Sequence, residues 1–340
     1  MPGNVHFTQA INTEVPIMYR EIKNILLAAL ISAPLSALAS PPSPAPATPA
    51  EAKSDEAQSF KNPDDAAKAL LEVARSDDRN QIIALFGNHN AELLSSGDEV
   101  EDKNNRSEFV TLAQEKMVVE KTGEDRAIVH VGNIDWPFPI PLVKKGDSWQ
   151  FDAEQGGRQE ILNRRIGRNE LSALDVIRGY REAQLDYAIL DRDGDGVYEY
   201  AQKLQSEPGK YDGLFWEPED GQPQSPLGPL VADARAEGYK LKGATGKPTP
   251  YHGYYYRILT RQGGNVPGGK YDYIINGNMI AGFALVAFPA QYGSSGIMTF
   301  VANHQGKIYQ KDLGPKTAEI VEKMKEYNPD SKWEPVQVAE

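Results

Sequence analysis

The chain has no cysteine in its 340 residues. That excludes disulfides, thiolate metal sites, a cysteine nucleophile and a lipid-modified cysteine behind an export signal. It also lacks a basic stripe. Its 36 Lys and Arg residues are scattered among 48 Asp and Glu, for a net charge of −12. Nothing is left to neutralise a phosphate backbone, so nucleic acid is excluded as a partner. An acidic surface suits solubility and cation binding instead. The phosphate-loop pattern is missing too: Gly243-Ala-Thr-Gly246-Lys247 has the wrong spacing and runs into Pro248. Gly293-Ser294-Ser295-Gly296 lacks the spacing of a nucleophile elbow.

A long hydrophobic run is absent as well. The apolar stretch Ile25 to Leu38 is about 14 residues, short of the ~20 that span a bilayer. Arg20 and Lys23 precede it, and Ala37-Leu38-Ala39 follows with small residues where a signal peptidase reads. Residues 1–39 therefore read as a secretory signal cleaved after Ala39. Pro34 and its small neighbours favour cleavage over a retained anchor. Residues 1–17 have no signal character, so Met18 is an alternative start and the segment before it a gene-start artefact. The expected location is periplasmic or secreted, with no transmembrane span after cleavage. The Pro-rich stretch Pro41 to Pro49 and the polar residues up to Ser59 form a tether, residues 40–59.

Two units are expected beyond the tether. In residues 60–156 helices come first: Asn62-Pro63-Asp64-Asp65 starts one, Arg79–Phe86 is a second, and Ser107–Lys116 a third. Strands follow at Lys116–Lys121, Arg126–Val131, Pro137–Val143 and Trp149–Asp152. Helices before an antiparallel meander make a small α+β domain of nuclear-transport-factor-like or cystatin-like order. In residues 157–340 a long helix runs to about Leu190, interrupted near Gly167. An alternating segment Val197–Leu204 is expected as a strand, as are Tyr254–Leu259, Gly282–Phe288, Met298–Asn303 and Lys307–Tyr309. A helix Lys316–Tyr327 closes the chain. The fold class is α+β throughout.

One motif carries cation chemistry. Asp191, Asp193 and Asp195 alternate, Gly196 permits a sharp turn, and Glu199 follows. The three aspartates can each give a side-chain oxygen, Val197 its carbonyl, and Glu199 a ligand directly or through water, which is how a loop wraps Ca²⁺. An EF-hand would have a bidentate Glu at the twelfth position, where this chain has Gln202. The plain alternative is a solvated turn between helix and strand.

Tyr251-His252-Gly253-Tyr254-Tyr255-Tyr256-Arg257 is the second conspicuous stretch. As a strand it puts Tyr254 and Tyr256 on one face and Tyr255 on the other. Tyr251, His252, Tyr254, Tyr256 and Arg257 are candidate ligand-binding residues; plain sheet packing is the competing reading. His252 and His304 are the histidines of the second unit, and Asp272 or Asp312 could complete an acid/base pair with either.

The segments Gly282 to Pro289, Gly296 to Asn303 and Gly306 to Tyr309, behind a long helix and an acidic loop, resemble the globular heads of type IV pilins and type II secretion pseudopilins. That resemblance implies a strand meander packed on one helix, and some such heads bind calcium. The chain departs from prepilins in placing a signal, a tether and a separate domain before the long helix, whose Glu170, Arg178, Arg181 and Glu182 bar it from a membrane. Over most of Asn62 to Gly314 the chain is similar to the bacterial family catalogued as domain of unknown function 2950, most specifically at Tyr251–Arg257 and Gly282–Gly314. The resemblance brings no activity. The expected role is a non-catalytic, calcium-stabilised binding or structural protein of the bacterial envelope, with an envelope protein or polysaccharide as partner. The alternative is an envelope hydrolase or carbohydrate-active protein using the Tyr-rich strand and His252 or His304. A pocket where a histidine and a carboxylate converge would favour the alternative.

Overall fold

The computed structural model describes residues 56–76, 78–90, 95–217, 221, 223–240 and 249–336. The expected signal and all but the last residues of the tether lie outside this set. The fold is a mixed α+β one with antiparallel sheets.

The first part opens with α1 (Pro63–Ser76). Asn62 starts it: its Oδ1 accepts the Asp65 amide at 2.8 Å, filling one of the donors that a helix start leaves unpaired. Ala66, Leu70 and Val73 recur on the buried face. Helix α2 (Arg79–Phe86) is capped by Asp78, and α3 (Glu99–Glu115) by Asp98. Strands β1 (Met117–Lys121), β2 (Arg126–Val131), β3 (Trp136–Pro137), β4 (Leu142–Lys145) and β5 (Ser148–Phe151) then form one sheet, in the order β1-β2-β4-β5 with β3 also on β2. The helices cover this sheet, and Phe86, Phe109, Phe138 and Phe151 meet ring to ring in the core between them.

Helix α4 (Arg158–Tyr187) has 30 residues. Its Ile161 belongs to the first core, whereas Ala173, Ile177, Tyr180 and Tyr187 belong to a second. Helix α5 (Gly228–Ala236) follows a long irregular stretch. Then come β6 (Tyr254–Leu259), β7 (Arg261–Gln262), β8 (Tyr271–Asp272), β9 (Ile274–Ile275), β10 (Asn278–Met279), β11 (Ala284–Pro289), β12 (Met298–Asn303), β13 (Ile308–Asp312), α6 (Thr317–Lys323), β14 (Glu326–Tyr327) and β15 (Glu334–Pro335). The main sheet of this part runs β15-β13-β12-β11-β6, antiparallel throughout. Strand β11, between β12 and β6, is buried over nearly its whole length, reading as a continuous apolar run because both faces are covered.

Several expectations are corrected. Helix α3 begins eight residues before Ser107, at Glu99. Its first half buries Glu101, Asp102, Asn105 and Arg106, so apolar spacing could not reveal it. The expected strand Pro137–Val143 is split into β3 and β4, since prolines 137, 139 and 141 supply no ladder donors. Helix α4 passes through Gly167 unbroken. Val197–Leu204 is not a strand; only Tyr200 bridges Met279. Next to that bridge the fully buried Gln184 amide takes the place of a neighbouring strand, donating to Ala201 O at 2.9 Å and accepting from Ala201 N at 2.8 Å. The closing helix is short, and Glu326–Tyr327 leaves it to pair in parallel with β7.

Candidate functional site

Between the two cores lies a cleft of about 990 Å³. Helices α3 and α4, the edge at Trp136–Pro137, and the segments holding Glu237, Tyr239 and His252 line it. Its lining is polar: Glu101, Asn104, Asn105 and Glu108 come from α3, and Asn163, Arg164, Arg168 and Ser172 from α4. Beneath it, two helix patterns bury further polar groups. On α4 the buried face reads Ile161, Arg165, Asn169, Ala173, one residue every four, with two polar groups where a core would have apolar ones. On α3, Glu101 and Asn105 precede Phe109 on the same face.

Arg165 is fully buried and donates from Nη1 to Ser95 O and to Ser294 Oγ, each at 2.8 Å. Burial lowers its pKa to about 10. Asp102 accepts from the Ser96 hydroxyl and, at 3.3 Å, from the Ser96 amide. Burial pushes its carboxyl up to about 8, against the hydrogen bond from Ser96 and the charge of Arg165. Asp98 joins the two parts of the chain: it accepts from Glu101 N at 3.2 Å, from Gly253 N at 3.0 Å and from the Tyr239 hydroxyl at 2.9 Å. Its carboxyl is also raised by burial.

Glu101 sits where this hub opens into the cleft. Its Oε1 is 3.2 Å from Arg168 Nη2, and Arg168 Nη1 donates to Asn105 Oδ1 at 2.9 Å. Burial raises Glu101 to about 7, opposed first by Arg168. Glu101 Oε2 and Asn105 Nδ2 are both out of contact with solvent, and the Asn105 side chain acts on the Glu101 carboxyl as a hydrogen-bond donor that opposes its raised pKa. Trp136, with Arg164 stacked 5.2 Å from its ring centre, adds an aromatic wall.

The Tyr-rich stretch divides. His252 lines the cleft, its Nε2 3.4 Å from Glu237 Oε2, and its ring packs on Tyr251 at 4.2 Å. Tyr251 and Tyr256 line a separate apolar cavity behind. Tyr254 is core: it is fully buried and donates to Met298 O at 2.9 Å. Arg257 donates to the carbonyls of Val321 and Met324, holding the end of α6. His304 packs its ring against Tyr273 and Phe283, and burial lowers its pKa. The carboxylates considered for the histidines go elsewhere: Asp272 pairs with Arg261 at 3.0 Å, and Asp312 accepts from Tyr292 at 3.2 Å. His252 meets Glu237 instead. Ser294 serves Arg165, and Ser295 is fully buried.

The acidic loop brings ligand atoms of Asp191, Asp193 and Asp195 within 4.8 Å of one another, all exposed. Backbone amides shape it: Gly194 and Gly196 donate to the two oxygens of Asp191 at 2.8 and 2.9 Å, and Val197 N to Asp195 at 2.8 Å. Both glycines have the positive φ that the turn requires, 78° and 88°. Glu199 is outside this trio. Its Oε2 accepts the Met279 amide at 2.7 Å, and burial raises its pKa. The three oxygen donors fit a hard cation, but Asn278 already donates to Asp195 Oδ2 at 2.8 Å.

Residues 57–336 match the family described as protein of unknown function (DUF2950). The chain belongs to that family. No curated protein and no solved structure matches it significantly. In this DUF2950 chain both cores, the cleft and the acidic loop fall inside the matched residues. Among its described residues no helix is long and apolar enough to cross a membrane. The DUF2950 residues that line the floor of the cleft, Glu101, Asn105 and Arg168, carry no motif. Glu101 and Asn105 stand four apart on the face that ends in Phe109, and Arg168 stands four from Arg164 and Ser172 on a polar face, so apolar spacing marks none of them as a site.

Proposed function

We propose that this chain is an exported protein of the bacterial envelope that binds a hydroxyl-rich ligand, an envelope polysaccharide, in the cleft between its two cores. The observation that carries this reading is the polar lining of Glu101, Asn104, Asn105 and Arg168 facing the Trp136 ring across one wide cleft. A wide polar cleft with an aromatic wall suits sugar rings, which present hydroxyl edges and apolar faces. The basic residues, apolar run and Ala37-Leu38-Ala39 at the N-terminus support export. The packing of α4 on an antiparallel sheet supports the likeness to pilin and pseudopilin heads. Calcium at Asp191, Asp193 and Asp195 is structural in this reading, because the loop lies outside the cleft lining.

A second reading has one specific observation in its favour. His252 and Glu237 converge in the same cleft as Glu101, whose raised pKa of about 7 suits a general acid. A histidine and carboxylates in one cleft are what an envelope glycan hydrolase would need. Calorimetry with soluble glycan strands from bacterial cell wall, with dextran as control, tests the binding. Asn105→Ala and Glu101→Gln should each weaken it about tenfold. Absence of binding by the wild type, or equal binding by both variants, defeats the proposal. Release of reducing ends that Glu101→Gln and His252→Ala both abolish would decide for the hydrolase.

A further inference from the structure

Behind the wall of Tyr239, Tyr251 and His252 lies a second cavity of about 240 Å³. Tyr239 lines both this cavity and the cleft. The space exceeds the roughly 150 Å³ of a dry engineered cavity that takes up benzene. Its lining comes from α4, α5, β6 and the strand centre at Leu285, and is mainly aliphatic and aromatic. The hydroxyls of its tyrosines are largely engaged elsewhere. Tyr180 donates to Ala284 O at 3.4 Å, Tyr256 to Tyr251 O at 3.3 Å, and Tyr239 to Asp98 at 2.9 Å. Thr249 donates to Lys240 O at 2.7 Å. With these hydroxyls engaged and aliphatic and aromatic carbon dominating the lining, the space selects an apolar occupant.

Charge narrows the class. In a chain of net charge −12, the cavity lining among the described residues includes no Asp or Glu but does include Arg235 and Lys240. Arg235 is held by both oxygens of Glu217 and lies 5.2 Å from the Phe215 ring centre. Its charge is thus already shared. Lys240 is exposed, a cation on a flexible stem beside an apolar space. Glu237, on the cleft side, and Asp233 act on the Tyr251 hydroxyl, so a negative group is disfavoured at that end and favoured at Lys240.

We propose that this cavity binds the acyl chain of a carboxylate amphiphile, the chain among Leu230, Val231 and Tyr255 and the carboxylate at Lys240. Nothing in this depends on the sugar cleft. Decanoate below its micellar range is the probe, followed by calorimetry on the full chain, with decan-1-ol as the uncharged control. Decanoate should bind in one-to-one ratio. Lys240→Glu, a surface change that leaves packing intact, should weaken decanoate about tenfold and leave decan-1-ol unchanged. Ala234→Phe, which fills the cavity from a half-buried position on α5, should abolish both and leave cell-wall glycan binding as in the wild type. No decanoate binding by the wild type, decanoate and decan-1-ol bound alike, or Lys240→Glu binding decanoate as the wild type does, overturns the proposal.

Discussion

The Tyr239 hydroxyl donates to the buried Asp98 carboxylate at 2.9 Å, tying the start of α3 to a segment 141 residues away. The same carboxylate caps α3 and accepts the Gly253 amide. One side chain thus positions both walls of the cleft. Tyr239→Phe removes the hydroxyl and keeps the ring contact with Tyr251. Hydrogen bonds to charged groups contribute about 1.5–3 kcal/mol, so urea unfolding should show a loss of that order. An unchanged midpoint would mean that the two parts are held by packing alone.

The buried acids give a pH dependence of defined sign. Asp102 is raised from 3.8 to about 8 and Glu101 from 4.5 to about 7 in the folded chain. Between the ordinary and the raised values the native state holds protons that the unfolded state has released. Stability therefore falls as pH rises from about 4.5 to about 8. Arg165 and Arg168 oppose the shifts, and Asp98 reinforces the one at Glu101. The exposed Glu207, lowered to about 2 by Lys203 and Lys210, acts only below 4.5 and in the opposite direction. The melting temperature should be higher at pH 5 than at pH 8, and Asp102→Asn should flatten that slope. A wild-type melting temperature that rises over this range contradicts the assignment.

Gly253 has φ of 70°, and a Cβ there would lie 2.3 Å from Asn169 Nδ2 and 3.1 Å from the Ser295 side chain. Asn169 is fully buried and donates to Ser295 O at 2.9 Å, so it has no room to yield. Gly253→Ala combines a left-handed backbone, which disfavours a Cβ by about 1–2 kcal/mol, with that clash. Stability should drop by more than the backbone figure alone, read by chemical denaturation. The exposed Gly146→Ala, where a Cβ meets nothing within 4 Å, is the control and should show only the backbone effect.

The elements legible in the sequence are those with clean periodicity. Arg126–Val131, Tyr254–Leu259 and Met298–Asn303 stand as the residues imply, because alternating or continuous apolar runs have one way to be buried. The upstream half of α3 was hidden because its inward face is Glu101, Asp102 and Asn105. Glu101 and Asn105 also line the cleft, so the feature that concealed the helix also concealed the site. His252 was legible as unusual, but its partner Glu237 was not, since their meeting depends on the chain between α5 and β6. The Asp191–Asp195 loop was legible because its carboxylates meet through local turns. Glu199 lies one turn of chain further and is captured by Met279, a long-range contact that spacing does not encode.

Calcium tests what that loop does. Three carboxylate oxygens gather there without a bidentate Glu, and Glu199 is engaged with a backbone amide. Such a donor set belongs to the weak extracellular range, with Kd of roughly 10⁻⁴–10⁻³ M. At about 1 mM calcium the native state gains RT ln(1 + [L]/Kd), about 0.4–1.4 kcal/mol. In a chain of this size that is a rise in Tm of roughly 0.6–2 °C. The ion would act on the junction between α4 and the segment that bridges Tyr200 to Met279. Asp193→Ala should remove the calcium response while leaving the chelated Tm unchanged, since among the described residues the loop's hydrogen bonds fall on Asp191 and Asp195 and not on that carboxylate. Glu199→Gln separates the two roles of the acidic stretch: it should lower Tm with calcium and with chelator alike, because the Met279 contact is structural. Identical wild-type melting in calcium and in chelator, together with no heat of binding, would make the loop an amide-stabilised turn and nothing more.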